Sequence, residues 1–371
     1  MTPRTLCPHA IGIYSVGLLG GSIGLALRAS GFDGKIVGFS SCRGLDTARK
    51  LGCIDQGYPY EELADQIDSL DMLFLCSPIS VILDTLAFLS TLELPQDLIV
   101  TDVGSTKTAI VAASGRLPEQ VSFIGGHPMA GSEKSGPAAA DPYLFQNAVY
   151  VVTVDHRGAS ALEEAFARFI TAHFGCRAVF VEPHIHDEIV AAVSHVPHLL
   201  AVALVNEVAT LDIRHQGTLE LAAGGFRDLT RIASSPYTMW HDIYQTNKPV
   251  VSSLLDTLLH RLQGMREALQ QDTLQSHFDS AADTRSALPS RNKGYLTNLR
   301  EILVVVADRP GVIASISSAL SDRGINIKDI EVLKIREGEG GTIRLGFASD
   351  DVARCAIDIL QAQGFNARER S

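Results

Sequence analysis

The turn that most narrows the possible folds closes the first β-rich run. Residues 10–15 lead through Ser15-Val-Gly17-Leu18-Leu19-Gly20-Gly21-Ser22 straight into helical spacing over 20–30. In a G-x-G-x-x-G turn the second glycine lets the backbone approach a pyrophosphate. The third lets the helix pack on the strand, and the helix N-terminus offers N–H donors to phosphate. Ser15 stands where the first glycine of that fingerprint would be. A plain strand–helix turn has the same look, so the surroundings decide. Candidate strands fall at 10–15, 36–39, 72–76, 98–102, 122–124, 148–154 and 177–181, and helical stretches at 20–30, 44–51, 80–90, 106–113 and 159–174. This alternation predicts an α/β, Rossmann-like parallel sheet domain over residues 8–182 with helices on both faces. A turn of this kind at its first βα junction is a dinucleotide site.

From Pro183 the texture changes. Ile189, Val193, Leu200, Leu204 and Val208, then Leu254, Leu258, Leu262 and Leu269, recur at helical intervals with little strand signal. An all-helical domain is expected over 183–280. Its apolar content exceeds what one helical layer buries, which favours a homodimer over a monomeric bundle. The polar stretch 276–298 reads as a linker, with the domain boundary placed at 281–298. Residues 299–371 give β, α, β, β, α and a short last strand, a ferredoxin-like βαββαβ unit.

Composition removes several function classes. In 371 residues, 42 acidic against 31 basic side chains give a net charge of −11, which disfavours nucleic acid as a partner. No apolar run of membrane-spanning length stands out, and the first ten residues lack the apolar core of a secretory signal. The six cysteines are scattered without a C-x-x-C pair. They read as the reduced thiols of a cytoplasmic protein. His184/His186 and His195/His198 lack a cysteine or carboxylate set at ligand spacing, so no metal is assigned.

The second strand ends in Ser40-Ser41-Cys42-Arg43, where an NAD site usually carries an acidic residue for the ribose diol. Ser40, Ser41 and Arg43 suit a 2′-phosphate, so the cofactor is NAD or NADP with a lean to NADP. Ser77 and Pro78 would shape the far side of its cleft. Asp102-Val-Gly-Ser105-Thr-Lys107 follows a buried strand at its carboxyl end, where open α/β sheets bind ligands. The stretch GGHPMAGSEKSG, residues 125–136, holds His127 rigidly in a glycine-rich loop, with Glu133 six residues on. A fixed imidazole of near-neutral pKa suits proton transfer. In the helical region, His186-Asp187 opens a helix that runs through His195-Val-Pro197-His198. Pro197 is expected to kink it and aim the flanking imidazoles. Arg227 and Arg231, four apart on one helical face, suit carboxylates, and Trp240 follows.

Taken in order, SVGLLGGS, DVGSTK, GGHPMAGSEKSG, SHVPH, GGFRDLTRIA and MW resemble the prephenate/arogenate dehydrogenase family of tyrosine biosynthesis over roughly residues 10–275. The stretch Asp308-Arg-Pro-Gly311-Val312 … Gly324-Ile-Asn326-Ile327 resembles an ACT domain, a regulatory module that commonly binds amino acids. The resemblance implies oxidation of prephenate at its ring carbinol, loss of CO2 and aromatisation to 4-hydroxyphenylpyruvate. It implies His127 as the base, with Ser105 in the same cluster, and Arg231 holding a substrate carboxylate. His198, Trp240 and Ser132 would line the pocket, and Glu133 would gate it or tune His127. Tyrosine is the expected effector, its carboxylate at the Asp308–Gly311 turn and Val312, its ammonium near Asn326 and Ile327. Arogenate dehydrogenase, the same reaction on the amino analogue, is the near alternative. A non-catalytic amino-acid sensor is the distant one, and a ligand-free dimerisation module is the alternative for the C-terminal unit.

Overall fold

The structure, a computed structural model, describes residues 5–131, 134–287, 299–307, 309–336 and 340–369. Ser132, Glu133, Asp308 and most of the expected linker lie outside the described residues. The chain forms two compact units, Met1–Thr273 and Leu274–Ser371.

The first unit begins with β1 (Ala10–Tyr14), α1 (Leu18–Ala29), β2 (Lys35–Phe39), α2 (Cys42–Lys50), β3 (Gln56–Tyr58), α3 (Leu63–Gln66), β4 (Met72–Leu75), α4 (Ile79–Leu89), β5 (Ile99–Asp102), α5 (Thr108–Ser114) and β6 (Ser122–Ile124). The strands pair in parallel in the order β3-β2-β1-β4-β5-β6. This is the doubly wound order, in which ligands sit beyond the carboxyl ends of the central strands. The strands read as unbroken apolar runs because both faces are covered. In β4, Met72 and Phe74 join a core with Ile23 and Leu27 of α1, while Leu73 and Leu75 join another with Ile82 and Leu86 of α4.

The next strands depart from expectation. β7 (Gly126–Pro128) pairs antiparallel with β8 (Val149–Thr153), and β8 pairs parallel with β9 (Arg177–Val181). They make a separate three-stranded sheet, not a continuation of the parallel one. His127 is therefore a strand residue, opposite Val151, where the sequence suggests a loop. Three residues with a glycine and a proline give strand periodicity nothing to register. α6 (Ala161–Phe174) joins β8 to β9, starting from a capping box between Ser160 and Glu163.

A continuous helical path follows: α7 (Pro183–Val190), a π-helical turn (Ala191–His195) and α8 (Val196–Arg214). This path of 32 residues is long and apolar enough to cross a membrane by length and composition, contrary to the sequence expectation. A core helix passes the same test, and this one carries buried His186, Asp187, His195 and His198. Beyond it lie α9 (Gly224–Thr230), a 3₁₀ turn (Arg231–Ser234), α10 (Tyr237–Thr246) and α11 (Lys248–Gln270). Ile189, Val193, Leu200, Leu204, Leu262 and Leu269 remain exposed.

The second unit opens with α12 (Gln275–Ala287), helical where its polar composition suggests a linker. Its alanines, glutamine and arginine favour helix but form no apolar stripe from which periodicity could be read. Then come β10 (Arg300–Val306), α13 (Val312–Ser321), β11 (Asp329–Arg336), β12 (Gly340–Phe347), α14 (Asp350–Ala362) and β13 (Asn366–Glu369). The antiparallel order β11-β12-β10-β13 is the expected ferredoxin-like arrangement. Ile302, Val304, Ile316, Leu345 and Leu360 fill its core. Gly311 caps α13 at φ 88°, with Val312 buried at the helix start. Asn326 is exposed, and Ile327 is half-buried against the core.

Candidate active site

The first βα turn has the geometry of a phosphate cradle. Ser15 sits at φ 75°, the left-handed region that the missing first glycine would occupy without strain. Its N–H donates to the Phe39 carbonyl at 2.8 Å, and Gly17 N–H donates to the Ser15 carbonyl at 2.9 Å. Gly17 N-caps α1 without a side-chain acceptor, and the first helical turn holds no acidic residue. Its amides are left for an anion. A Cβ on Gly17 would meet nothing within 4 Å, whereas one on Gly20 would lie 2.4 Å from the Ser15 carbonyl oxygen. Gly17 thus keeps the ligand side open, and Gly20 lets helix and turn close together. Leu18 starts α1, and Leu19 reaches the cleft beyond it.

At the end of β2, Ser40 is buried with its hydroxyl 3.4 Å from the Tyr60 hydroxyl. Ser41 N-caps α2 by accepting from Gly44 N–H, and Arg43 is exposed on the first turn of that helix. Across the switch point, after β4, the Ser77 hydroxyl is buried without a hydrogen-bond partner and lines the cleft beside Pro78. A buried hydroxyl in that state calls for a polar ligand group. The open Gly17 cradle and this orphaned hydroxyl fit a dinucleotide lying across the carboxyl ends of β1 and β4.

The cleft holds about 690 Å³ and is walled by both halves of the first unit. Ser105, His127 and Met129 come from the sheet side; Ser194, His195, Arg231, Met239, Trp240 and Asp242 come from the helical side. Polar ties at the rim join the halves. Asp242 accepts from Ser80 N–H at 2.9 Å and from its hydroxyl at 2.6 Å, capping α4 from outside. The Thr106 and Thr246 hydroxyls meet at 2.7 Å.

His127 is anchored from behind. Lys107 Nζ donates to the Gly126 carbonyl at 2.7 Å and is paired with Asp102, both side chains fully buried. Asp102 in turn accepts from Gly126 N–H at 3.1 Å and Gly104 N–H at 2.7 Å. The ion pair thus grips both main-chain groups of the residue before His127. The imidazole Nδ1 lies 2.8 Å from His186 Nε2, and His186 Nδ1 lies 2.8 Å from Asp187 Oδ1. Burial, with His186, Lys107 and His195 adding repulsion, holds His127 well below the usual histidine range. It is a neutral imidazole at the edge of a cleft.

The helical wall differs from expectation in two places. His195, not His198, lines the cleft. Pro197 has no N–H to give the preceding turn, and the helix widens into the π turn that ends at His195. His198 lies behind Trp240, its ring stacked on the indole and its Nδ1 2.8 Å from the Tyr244 hydroxyl. Burial pushes His195 down to about 4. Arg227 and Arg231 do not share a helical face: α9 stops at Thr230, and Arg231 opens the 3₁₀ turn that brings it to the cleft. Arg227 donates to the Ala222 carbonyl instead. The Trp240 Nε1–H is buried without a partner. Lys107, His186, Asp187 and His195 complete the cluster without having been assigned roles from sequence. Asp187, with buried hydrogen bonds to another element, carries no local signature that would have revealed this.

Comparison with known proteins agrees with this architecture. The family model "Prephenate dehydrogenase, nucleotide-binding domain" matches residues 23–178, "Prephenate dehydrogenase, dimerization domain" matches 182–280, and "ACT domain" matches 300–354. A prephenate dehydrogenase of Bacillus subtilis is 34% identical over 95% of this chain and 95% of its own length. A crystal structure of prephenate dehydrogenase from A. aeolicus, in complex with hydroxyphenyl propionate and NAD+, superposes at TM-score 0.69. It is 29% identical, covering 76% of this chain and 99% of that one. A Synechocystis arogenate dehydrogenase superposes at TM-score 0.64 with 28% identity, over 75% of this chain and all of that one. With a nucleotide-binding sheet, a two-walled cleft and an ACT unit in one chain, this protein belongs to the prephenate dehydrogenase family.

Proposed function

We propose that this chain is an NAD(P)-dependent prephenate dehydrogenase of tyrosine biosynthesis, converting prephenate to 4-hydroxyphenylpyruvate and CO2. The observation that carries the reading is the pairing across one cleft of a neutral, anchored imidazole, His127, with a guanidinium, Arg231. When bound, the nicotinamide supplies the acceptor for the hydride from the ring carbinol carbon. His127 takes the hydroxyl proton as that hydride leaves. The ring carboxylate then departs as CO2, its bonding electrons complete the aromatic ring, and the phenolate oxygen takes back the proton from His127. Because aromatisation drives that loss, the protein's work is alignment and one proton transfer, worth about 10²–10⁴-fold in rate. Arg231 binds a substrate carboxylate, for which the planar guanidinium is suited. Ser105 borders the same space, and the Trp240 Nε1–H is a donor awaiting an acceptor.

For the dinucleotide, Leu18, Leu19 and Gly20 surround the pyrophosphate and Ser77 and Pro78 the nicotinamide end. The absence of a carboxylate at Ser40, with Arg43 exposed nearby, supports NADP over NAD. The domain scheme of 8–182, 183–280 and 299–371 is part of this proposal, as is a cytoplasmic homodimer built on the exposed apolar face of the helical domain. Tyrosine is the proposed effector of the ACT unit, at Gly311, Val312, Asn326 and Ile327.

The test is turnover with prephenate and arogenate, each with NAD+ and NADP+, with and without tyrosine, on the wild type and His127→Asn. Expected is a preference for prephenate and NADP+, with the variant losing turnover by at least about 10²-fold at little cost in substrate affinity. Near-normal turnover in the variant would remove His127 as the base, and preference for arogenate would replace the substrate.

A further inference from the structure

Asp187 is the fixed point of a buried chain that ends at the cleft. Its Oδ1 accepts from Lys107 N–H at 2.7 Å and its Oδ2 from Thr108 N–H at 2.9 Å, at the start of α5. Asn247 Nδ2–H holds the Asp187 carbonyl at 2.8 Å and stands 3.3 Å from His195 Nδ1. Burial alone would raise the carboxyl, but the hydrogen bonds from His186, Thr108 and Lys107 keep it below the ordinary range. Asp187 is thus a carboxylate and an acceptor only. His186 Nδ1, 2.8 Å away, must carry a proton. With a single ring proton, His186 has a bare Nε2, and the facing His127 Nδ1, also 2.8 Å away, is the donor. What remains to His127 for the cleft it lines is an Nε2 lone pair.

Resting on the reading of His127 as proton acceptor, we infer that His186 and Asp187 are positioning residues that fix its Nδ1–H tautomer and hold the bare Nε2 toward substrate. The reverse arrangement would put the unprotonated His186 Nδ1 against a carboxylate oxygen. Which ring nitrogen carries the proton is set by the partner of the other, and here the partners run in one direction. The arrangement also meets the charge that appears during reaction. As His127 gains its proton, the carboxylates behind its neighbours among the described residues are Asp187, bound to His186, and Asp102, bound to Lys107; the cations and imidazoles facing it are Lys107, His186 and His195. Asp102 is already bound to Lys107, which leaves Asp187 to offset the imidazolium through the His186 ring.

Two measurements on the full chain test this. Long-range ¹H–¹⁵N correlation on histidine-labelled protein, with signals assigned by His127→Asn and His186→Gln, is expected to show both His127 and His186 as Nδ1–H tautomers. The steady-state kinetics of His186→Leu and His186→Gln with prephenate provide the second. The leucine variant cannot accept the His127 proton and is expected to lose about 10²-fold or more in kcat. Its substrate KM should move by less than about threefold, and its acid limb should leave the wild-type position. The glutamine carbonyl can accept that proton, so His186→Gln should recover at least about tenfold of the lost kcat. A His127 Nε2–H signal in the wild type, or a leucine variant with wild-type kcat and pH profile, would overturn the inference. Neither outcome touches the base assignment, which falls only if His127→Asn retains turnover. If the leucine variant fails to fold, the wild-type tautomer and the glutamine variant decide.

Discussion

Trp240 lies flat on His198, with ring centroids 3.8 Å apart and planes 14° from parallel. Tyr244 stands beside this pair, its ring centroid 5.6 Å from the indole and 6.2 Å from the His198 ring. The indole is held by its stack on His198, while its buried Nε1–H has no partner. Trp240→Phe keeps an aromatic face on His198 and removes the donor together with one of the two fused rings. It is expected to raise the substrate KM by about 5–10-fold, the worth of one hydrogen bond, with only a modest fall in the melting temperature. Steady-state kinetics beside a thermal melt checks this; an unchanged KM would show that the donor meets no substrate group.

The two glycines of the first turn should fail differently. Gly17→Ala adds a methyl group in open space, so the variant should melt like wild type but bind the dinucleotide more weakly. Gly20→Ala drives a Cβ against the Ser15 carbonyl oxygen and Ile13, and should cost about 1–3 kcal/mol of stability. Cofactor titration by fluorescence and differential scanning calorimetry separate the two. Equal loss of stability in both would remove the distinction.

Arg231→Ala should raise the substrate KM by about 10–100-fold, the usual range for a lost charge-assisted hydrogen bond. Because the side chain is exposed, the fold should be indifferent. Arg231→Lys restores the charge without the planar fork and should fall between. A similar Michaelis constant in all three proteins would take Arg231 out of the substrate site.

His195 carries a pH signature in stability. Burial depresses it to about 4, against about 6.5 in an unfolded chain. Between these values the unfolded state binds more protons, so stability is full above about pH 6.5 and is lost as pH falls toward about 4. The contribution is on the order of 3 kcal/mol. Chemical denaturation at stepped pH should show this decline, and His195→Gln should flatten it. A variant with the wild-type slope would assign the decline to other groups.

The fold was largely legible because its strands are apolar on both faces and its helices follow at short intervals. Residues 72–75 read as a buried strand whatever their neighbours, and the ACT unit declared itself through alternating βαββαβ texture. The site was legible only where a residue announces itself locally. His127 in its glycine-rich stretch did so, and so did Arg231. His186 meets His127 across 59 positions of sequence, and no local pattern encodes such a meeting. Lys107 falls at the start of an expected helical stretch, where nothing local shows that it is fully buried against Asp102. His195 and His198 are three apart, and helical spacing alone puts them on neighbouring faces. Only the widened turn decides which of them meets the cavity.

The strand that carries the imidazole is held on two sides, by its pairing with β8 and by the grip of Lys107 and Asp102 on Gly126. Both holds act on the strand itself and on the residue before the ring. A change in the segment that follows would thus alter the mouth of the cleft while His127 keeps its coordinates. Substrate preference in such a scaffold can drift without the chemistry being rebuilt.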